Sequence, residues 1–376
     1  MALVRVKLQG RSYPIEIGTA NAAALSRQVA RHLESDRLFA FYDAQFYVLH
    51  GPRLRAQLPV SPGRLAEMVI PGGEASKSRA VLGRIYDFLL DQGVSRSDVI
   101  LACGGGVTTD LIGYAAATTL RGVRWAAVPT TLLGMVDAAI GGKTGINHSR
   151  GKNLIGAFWQ PVFVHCDVAY LQTLAPRHMV AGIGEVIKYA GLIGRPMVGK
   201  LKPYLSRAEL YREKDLASLV RLAARYKADM VSRDERETGA RAVLNFGHTF
   251  GHGIERAVGF GRLLHGEAVI LGILAALELG ELYQLPVTDG VREYRKIVES
   301  AVGLVRKLHI SADTIMNGMK LDKKRRGGKF RFVLLARPGR PIIASDVNYR
   351  LITKAVKRML AFYESQGGRN AHHPSR

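Results

Sequence analysis

Between Asp98 and Val128 the chain runs through a short apolar strand pattern (Asp98 to Cys103), three consecutive glycines (Gly104–Gly105–Gly106), a helical stretch over 109–119 and a second strand pattern (Trp125 to Val128). Strand, tight turn, helix, strand is the unit of a parallel sheet, and few other folds accept it. The residues before it keep the same rhythm. Leu3 to Leu8 and Tyr13 to Ile17 read as a hairpin around Gln9–Gly10–Arg11, Ala22 to Leu33 as a helix, Leu38 to Tyr42 as a strand ending at Asp43, and 78–92 as a helix. The N-terminal half is therefore expected to be an α/β domain.

From about residue 172 the periodicity changes to helical, over 177–194, 214–233, 248–258, 265–283, 291–308 and 346–365, with one strand-like piece at Phe330 to Leu335. We expect an α/β domain at 1–171, a helical domain at 172–366 and a disordered tail at 367–376, GGRNAHHPSR. A length of 376 residues with 47% hydrophobic content suits two domains of ordinary size. No run approaches the roughly 20 apolar residues of a membrane span, and the N-terminus enters a strand pattern directly, so a cytoplasmic location is expected. Cys103 and Cys166 lie at the ends of apolar runs without metal spacing and read as buried free thiols.

The net charge of +23 is compatible with nucleic acid, an acidic membrane or an anionic small substrate. Its densest run, Leu321 to Arg331, lacks interleaved stacking aromatics, which disfavours nucleic acid and leaves a locally cationic site on a basic surface. Two glycine-bearing turns open helices: Gly104–Gly106 before Asp110, and GGEASKS at 72–78 with Lys77. Amides at a helix N-terminus bind phosphate, and two such turns favour a dinucleotide over a lone phosphate. A third glycine-rich stretch, 141–158, places Lys143, Asn147, Lys152 and Asn153 on irregular backbone just after Asp137, as a convergent anion site or a solvated basic loop.

Four helical patterns carry further polar groups. Glu185 and Lys188 stand three apart in an apolar helix, as an ion pair or as part of a site. Lys227 sits on the apolar stripe of Leu216, Val220, Ala223 and Val231, where a buried ammonium needs an anion unless it snorkels. His248 and His252 share a helix face at ligand spacing, and His265 and Glu267 follow. Spacing alone pairs His248 with His252 on a divalent metal with Glu and His ligands.

Taken together, the stretch from Gly104 to Pro161, then AGIGEVIKYA, RAVLNFGHTFGH and LLHGEAV, resemble the 3-dehydroquinate synthase family of sugar-phosphate cyclases, in the family's order and near its spacing, over roughly residues 1–340. The resemblance implies a Rossmann-like N-terminal NAD-binding domain and a helical C-terminal metal-binding domain. It implies Glu185, His248 and His265 as ligands of zinc or cobalt, with His252 and Glu237 in acid–base roles, so that the two histidines of one face divide the labour. Lys143, Asn153 and Lys188 would also take part in the chemistry. Asp137, Lys143, Asn153, Lys188, Lys227, Arg241, Asn245, His252 and Lys324 (or its neighbour Lys323) would hold a sugar-acid phosphate, and Arg121 would reach the phosphate of a neighbouring subunit's substrate in a homodimer. Asp43, Glu74, Lys77, Gly105, Gly106, Asp110, Thr130, Thr131 and Lys152 would line the NAD site.

Three residue pairs depart from the family pattern: Thr108–Thr109, Ala138–Ala139 and Ala181–Gly182. They bear on cofactor affinity more than on the chemistry, because every metal and acid–base position is filled. The implied reaction is a step of the shikimate pathway to aromatic amino acids, in which 3-deoxy-D-arabino-heptulosonate 7-phosphate becomes 3-dehydroquinate and phosphate. It proceeds by transient oxidation with NAD, phosphate elimination, reduction, ring opening and aldol closure. The competing readings are a related cyclase acting on a sugar phosphate without the carboxylate, a metal-dependent polyol dehydrogenase of the same architecture, and a basic nucleic-acid-binding module. Lys143, Lys152, Asn153, Lys227 and Arg241 favour the substrate with two anionic ends.

Overall fold

The structure, a computed structural model, describes residues 2–33, 37–205, 213–259, 261–325 and 330–366, without the side chains of 213–215 and 321–325. In chain order the elements are β1 (Ala2–Val6), β2 (Tyr13–Gly18), α1 (Ala22–Leu33), β3 (Leu38–Asp43), α2 (Ala44–Arg55), β4 (Leu65–Ile70), α3 (Arg79–Asp91), β5 (Val99–Gly104), α4 (Gly106–Thr118) and β6 (Arg124–Pro129). There follow β7 (Lys143–His148), β8 (Gly151–Phe158), β9 (Val164–Asp167), α5 (Pro176–Ile193), α6 (Arg195–Leu201), α7 (Glu213–Arg233), α8 (His248–Val258), α9 (His265–Leu282), α10 (Asp289–Val302), α11 (Ala312–Arg325), β10 (Arg331–Arg337), β11 (Arg340–Ser345) and α12 (Tyr349–Ser365). Packing divides the chain into two compact units, residues 1–175 with 213–239, and 176–212 with 240–376.

The first unit is built on a seven-stranded sheet of order β1-β2-β9-β6-β5-β3-β4. β1 runs antiparallel to β2, and the remaining pairings are parallel. All six residues of β5 are buried, as a strand covered on both faces requires. On one face Leu25, Val29 and Leu33 of α1 join Leu38, Ala40, Tyr42, Val99 and Leu101 in the core. The chain leaves β3 toward β4 on one side and returns through α3 to β5 on the other, so a topological switch point lies between the carboxyl ends of β3 and β5. In open α/β sheets such a crevice is where ligands bind.

Two expectations are corrected in this unit. Residues 141–158, anticipated as irregular loop, form the antiparallel hairpin β7–β8, in which Lys143 pairs with Phe158 and Ile146 with Ile155. The strands can pair so closely because Gly145 and Gly156 face each other's backbone: a Cβ on Gly156 would lie 2.2 Å from the Thr144 carbonyl oxygen. The division of the chain also differs from a single cut after residue 171. Helix α7 packs with the first unit, where Ser232 accepts from the Lys7 amide at 2.8 Å and Glu235 meets Arg11 at 3.0 Å.

The second unit is helical around α9, fourteen of whose eighteen residues are buried against α5, α8, α10 and α12. Helix α10 stops at Val302, capped by Gly303, rather than continuing to 308, and α11 was not anticipated. The strand-like piece at Phe330 to Leu335 is one arm of the hairpin β10–β11. Cys103 and Cys166 are buried and free, and burial pushes both thiols above their usual range, as expected for structural cysteines. No helix among the described residues is long and apolar enough to cross a membrane. The tail at 367–376 lies outside the described residues.

Candidate active site

Three helices of the second unit meet almost backbone to backbone, and glycines make that possible. A Cβ on Gly266 would lie 1.8 Å from the Ala181 carbonyl oxygen, one on Gly184 would lie 2.2 Å from the Gly266 carbonyl oxygen, and one on Gly272 would lie 2.1 Å from the Gly247 carbonyl oxygen. These contacts draw α5 and the start of α8 onto α9 and bring three side chains together: Glu185 from α5, His248 from α8 and His265 from the first turn of α9. Their ligand atoms all lie within 4.8 Å of one another. The α9 entry is held by Glu267, which accepts from the Leu264 amide at 2.7 Å and is gripped by Arg177 of α5 at 2.9 Å.

The histidines are oriented by what their far nitrogens meet. His248 Nδ1 lies 3.1 Å from the Phe246 carbonyl oxygen, which can only accept, so Nδ1 carries the proton and Nε2 presents a lone pair. His265 Nδ1 lies 3.1 Å from Glu255 Oε2, which likewise leaves Nε2 facing inward. Both Nε2 atoms approach one oxygen, Glu185 Oε1, at 3.5 and 3.4 Å. Ligands about 2.1 Å from a tetrahedral ion are separated by roughly 3.4 Å, so the donor set has the size and chemistry of a zinc-type site.

Glu185 is fully buried and paired with the equally buried Lys188 one turn on. Burial holds His248 down to about 3, keeping it neutral. For His265 burial also works downward, but the Glu255 and Glu185 carboxylates override it and raise the imidazole to about 10. His252 stands beside the cluster, its ring centroid 5.6 Å from that of His248 and 6.1 Å from that of His265, and a second group of possible ligands combines His252, Glu255 and His265. Arg241, 1% exposed, and Asn245 lie in the short 3-10 turn Ala240–Asn245 leading to α8. Lys324 and Lys323 fall in the last turn of α11, where side chains lie outside the described residues.

In the first unit the dinucleotide candidates gather at the carboxyl ends of neighbouring parallel strands. Asp43 ends β3 and caps α2 by accepting from the Gln45 and Phe46 amides, Glu74 and Lys77 follow β4, Gly105 and Gly106 follow β5, and Thr130 and Thr131 follow β6. The glycines are pressed against these neighbours: a Cβ on Gly104 would lie 3.0 Å from that of Asp43, one on Gly105 would lie 3.0 Å from Thr131 Cγ2, and one on Gly106 would lie 2.9 Å from that of Ala138. Buried Lys77 bonds to Asp110 at 2.6 Å and to Asn153, and Glu74 accepts from Asn147 at 2.8 Å. The β7–β8 hairpin, with Lys152 in its second strand, is thereby tied to the turn after β4.

The buried lysine of α7 has found its anion within the chain: Lys227 Nζ lies 2.9 Å from Asp137 Oδ1 and 2.6 Å from the Asp137 carbonyl oxygen. Lys143 pairs with Glu237. Asn153 and Glu237 both hold left-handed backbone, φ 53° and 59°, a strained conformation that clusters at functional sites. Exposed Arg121 stands in the turn after α4 with φ 65°, beside Leu120 at φ 50°.

Residues 67–181 match the 3-dehydroquinate synthase N-terminal family, and residues 182–325 match the 3-dehydroquinate synthase C-terminal family. A 3-dehydroquinate synthase of Nitrosospira multiformis is 40% identical over 354 residues, covering 93% of this chain and 96% of that protein. The chain belongs to the 3-dehydroquinate synthase family. Among solved structures, a 2-deoxy-scyllo-inosose synthase complexed with carbaglucose-6-phosphate, NAD+ and Co2+ shares the fold with a TM-score of 0.83 at 23% identity, covering 95% of this chain and all of that one. ValA, the 2-epi-5-epi-valiolone synthase of Streptomyces hygroscopicus subsp. jinggangensis 5008 with NAD+ and Zn2+ bound, has a TM-score of 0.81 at 27% identity, covering 94% and 98%.

Within this family frame, two features of the cluster escaped the sequence reading. The Gly184–Gly266 and Gly247–Gly272 contacts join segments distant in sequence and carry no local signal. Glu255 did carry one: it stands seven residues after His248 and three after His252, an acidic residue on the histidine face of α8.

Proposed function

We propose that the chain converts 3-deoxy-D-arabino-heptulosonate 7-phosphate to 3-dehydroquinate and phosphate in the shikimate pathway. Membership of the 3-dehydroquinate synthase family over more than nine-tenths of the chain carries the reading. The Glu185–His248–His265 cluster supports it. Asp43, Glu74, Lys77, Gly105, Gly106, Asp110, Thr130, Thr131 and Lys152 would seat NAD, which would supply a hydride acceptor and donor with no net redox change. Glu185, His248 and His265 would hold a divalent cation, zinc or cobalt, which would supply Lewis acidity.

The chain's own groups do the rest. Lys143, Lys188, Lys227 and Arg241 supply positive charge against the substrate's carboxylate and phosphate, and the low dielectric around the buried ones strengthens the attraction. Asp137, Asn153 and Asn245 orient hydroxyls, and Lys324 adds charge from α11. His252, beside the proposed metal ligands, and Glu237, paired with Lys143, move protons. In a cytoplasmic homodimer, exposed Arg121 reaches the phosphate of the neighbouring subunit's substrate.

The test is phosphate release from the heptulosonate phosphate with catalytic NAD and zinc or cobalt, with absorbance following NADH. Chelator-sensitive release without NADH accumulation is the expected result. Stoichiometric NADH would instead identify a polyol-type dehydrogenase, and absence of phosphate a different cyclase substrate.

The titration of the cluster adds a pH dependence. His265, held up at about 10, carries its Nε2 proton at neutral pH and must give it up before that nitrogen can bind a cation. The proton is bound in the metal-free state and lost on loading, so zinc affinity rises with pH, by about tenfold per unit for one proton between roughly pH 7 and 9. Zinc titrations in buffers of different ionisation enthalpy should report about one proton released per ion. A flat profile would contradict the raised imidazole.

A further inference from the structure

Glu255 lies on α8 with 5% exposure, and its carboxylate is directed at His265, the cluster's ligand from another helix. His265 offers two nitrogens to two different neighbours. Nε2 faces Glu185 Oε1 at 3.4 Å, the ligand-to-ligand spacing of a four-coordinate ion, whereas Nδ1 meets Glu255 Oε2 at 3.1 Å, an ordinary N–H to oxygen hydrogen bond. His248 shows the same division, with its Nδ1 against the Phe246 carbonyl oxygen. The Nδ1 of each imidazole is thus held from behind, one by a neutral acceptor and one by a charged acceptor. The charged partner serves His265, which is the more exposed of the two, with 32% of its side chain accessible against 11% for His248.

We propose that Glu255 is a positioning residue for the metal centre: by accepting the Nδ1 proton of His265 it fixes the ring's rotation and tautomer and makes Nε2 a stronger donor to the cation. This rests on the metal reading of Glu185, His248 and His265. It assigns Glu255 to the second layer and not to the ligand set, although His252, Glu255 and His265 are themselves close enough to be read as a cluster. Two facts favour the second layer. His265 Nδ1 is already engaged by the carboxylate at hydrogen-bond length, and the Glu185–His248 side offers two buried donors where the alternative offers one.

Removing such partners costs metal affinity about 10–100-fold. The test compares wild type, Glu255→Gln, Glu255→Ala and His265→Ala, stripped of metal, by zinc competition against a chromophoric chelator and by visible absorption of the cobalt-loaded proteins. We expect one equivalent in wild type and in both Glu255 variants, with zinc binding weakened about 10–100-fold in Glu255→Ala and less in Glu255→Gln, whose amide oxygen can still accept the Nδ1 proton. The cobalt bands should keep their ligand-set character, and the metal-free proteins should melt near wild type. If Glu255→Ala does not fold, Glu255→Gln decides through its affinity.

Unchanged zinc affinity in the Glu255 variants, with binding lost in His265→Ala, overturns the proposal alone. A second equivalent in wild type that disappears with Glu255, or cobalt bands that lose an oxygen ligand, makes Glu255 a ligand and also overturns it. Wild-type affinity in His265→Ala sinks the metal reading and this proposal together.

Discussion

Replacing His265 with alanine is expected to lower phosphate release by at least about a thousandfold and to leave the protein unable to retain zinc through dialysis. The proposed centre takes one candidate ligand from each of three helices, and His265 Nε2 stands 3.4 Å from Glu185 Oε1. A site of this kind binds with on the order of 10 kcal/mol, so loss of one donor of three removes roughly 3 kcal/mol, a factor of about a hundred or more in affinity. Activity falls further because Lewis acidity contributes several kcal/mol to stabilising developing charge. Zinc content and phosphate release measured on the same preparation check this. A dialysed variant with one equivalent of zinc and full turnover would remove His265 from the centre.

How far the site was legible in the sequence can be traced residue by residue. The strands at Val99–Gly104 and Arg124–Pro129 announce themselves because a parallel strand covered on both faces is written as an apolar run, here Val99–Cys103 and Trp125–Val128, and the glycines between them mark the turn that now lies beside Asp43 and Thr131. Helices α7, α8 and α9 follow from their periodicity. Hairpin β7–β8 was hidden because glycine ordinarily signals a turn, whereas here Gly145 and Gly156 allow two strands to approach each other.

Charge was legible in kind but not in partner. A buried ammonium at Lys227 required an anion, and Asp137, ninety residues away, supplies it in this structure. A ligand role for the same lysine then means exchanging or sharing that carboxylate. The pairing of His248 with His252 from spacing alone reflects the same limit. Residues four apart must share a face, but which of them meets Glu185 is decided by how α5 and α8 sit on α9, and that depends on glycine contacts between segments with no local relation.

Those contacts make the strongest structural prediction. Gly266→Ala is expected to cost about 3 kcal/mol or more of stability and to lose tight zinc binding even though no ligand is changed. The added methyl would stand 1.8 Å from the Ala181 carbonyl oxygen, 2.5 Å from its carbonyl carbon and 2.7 Å from its Cα, and these are backbone atoms that cannot rotate aside. Relief requires α5 and α9 to separate by more than about 1 Å, since forced overpacking is resolved by backbone shifts. Glu185 follows Gly184 on α5, and His265 precedes Gly266 on α9, so the same separation pulls apart the two proposed ligands that the contact brings together. Gly199→Ala in α6 is the matched control: nothing lies within 4 Å of its added Cβ, and alanine in a helix interior gains about 0.5–1 kcal/mol over glycine. Thermal melts and zinc titrations of the two variants separate the effects. A Gly266→Ala protein that melts and binds zinc like wild type would mean that the α5–α9 backbone contact does not set the geometry of the cluster.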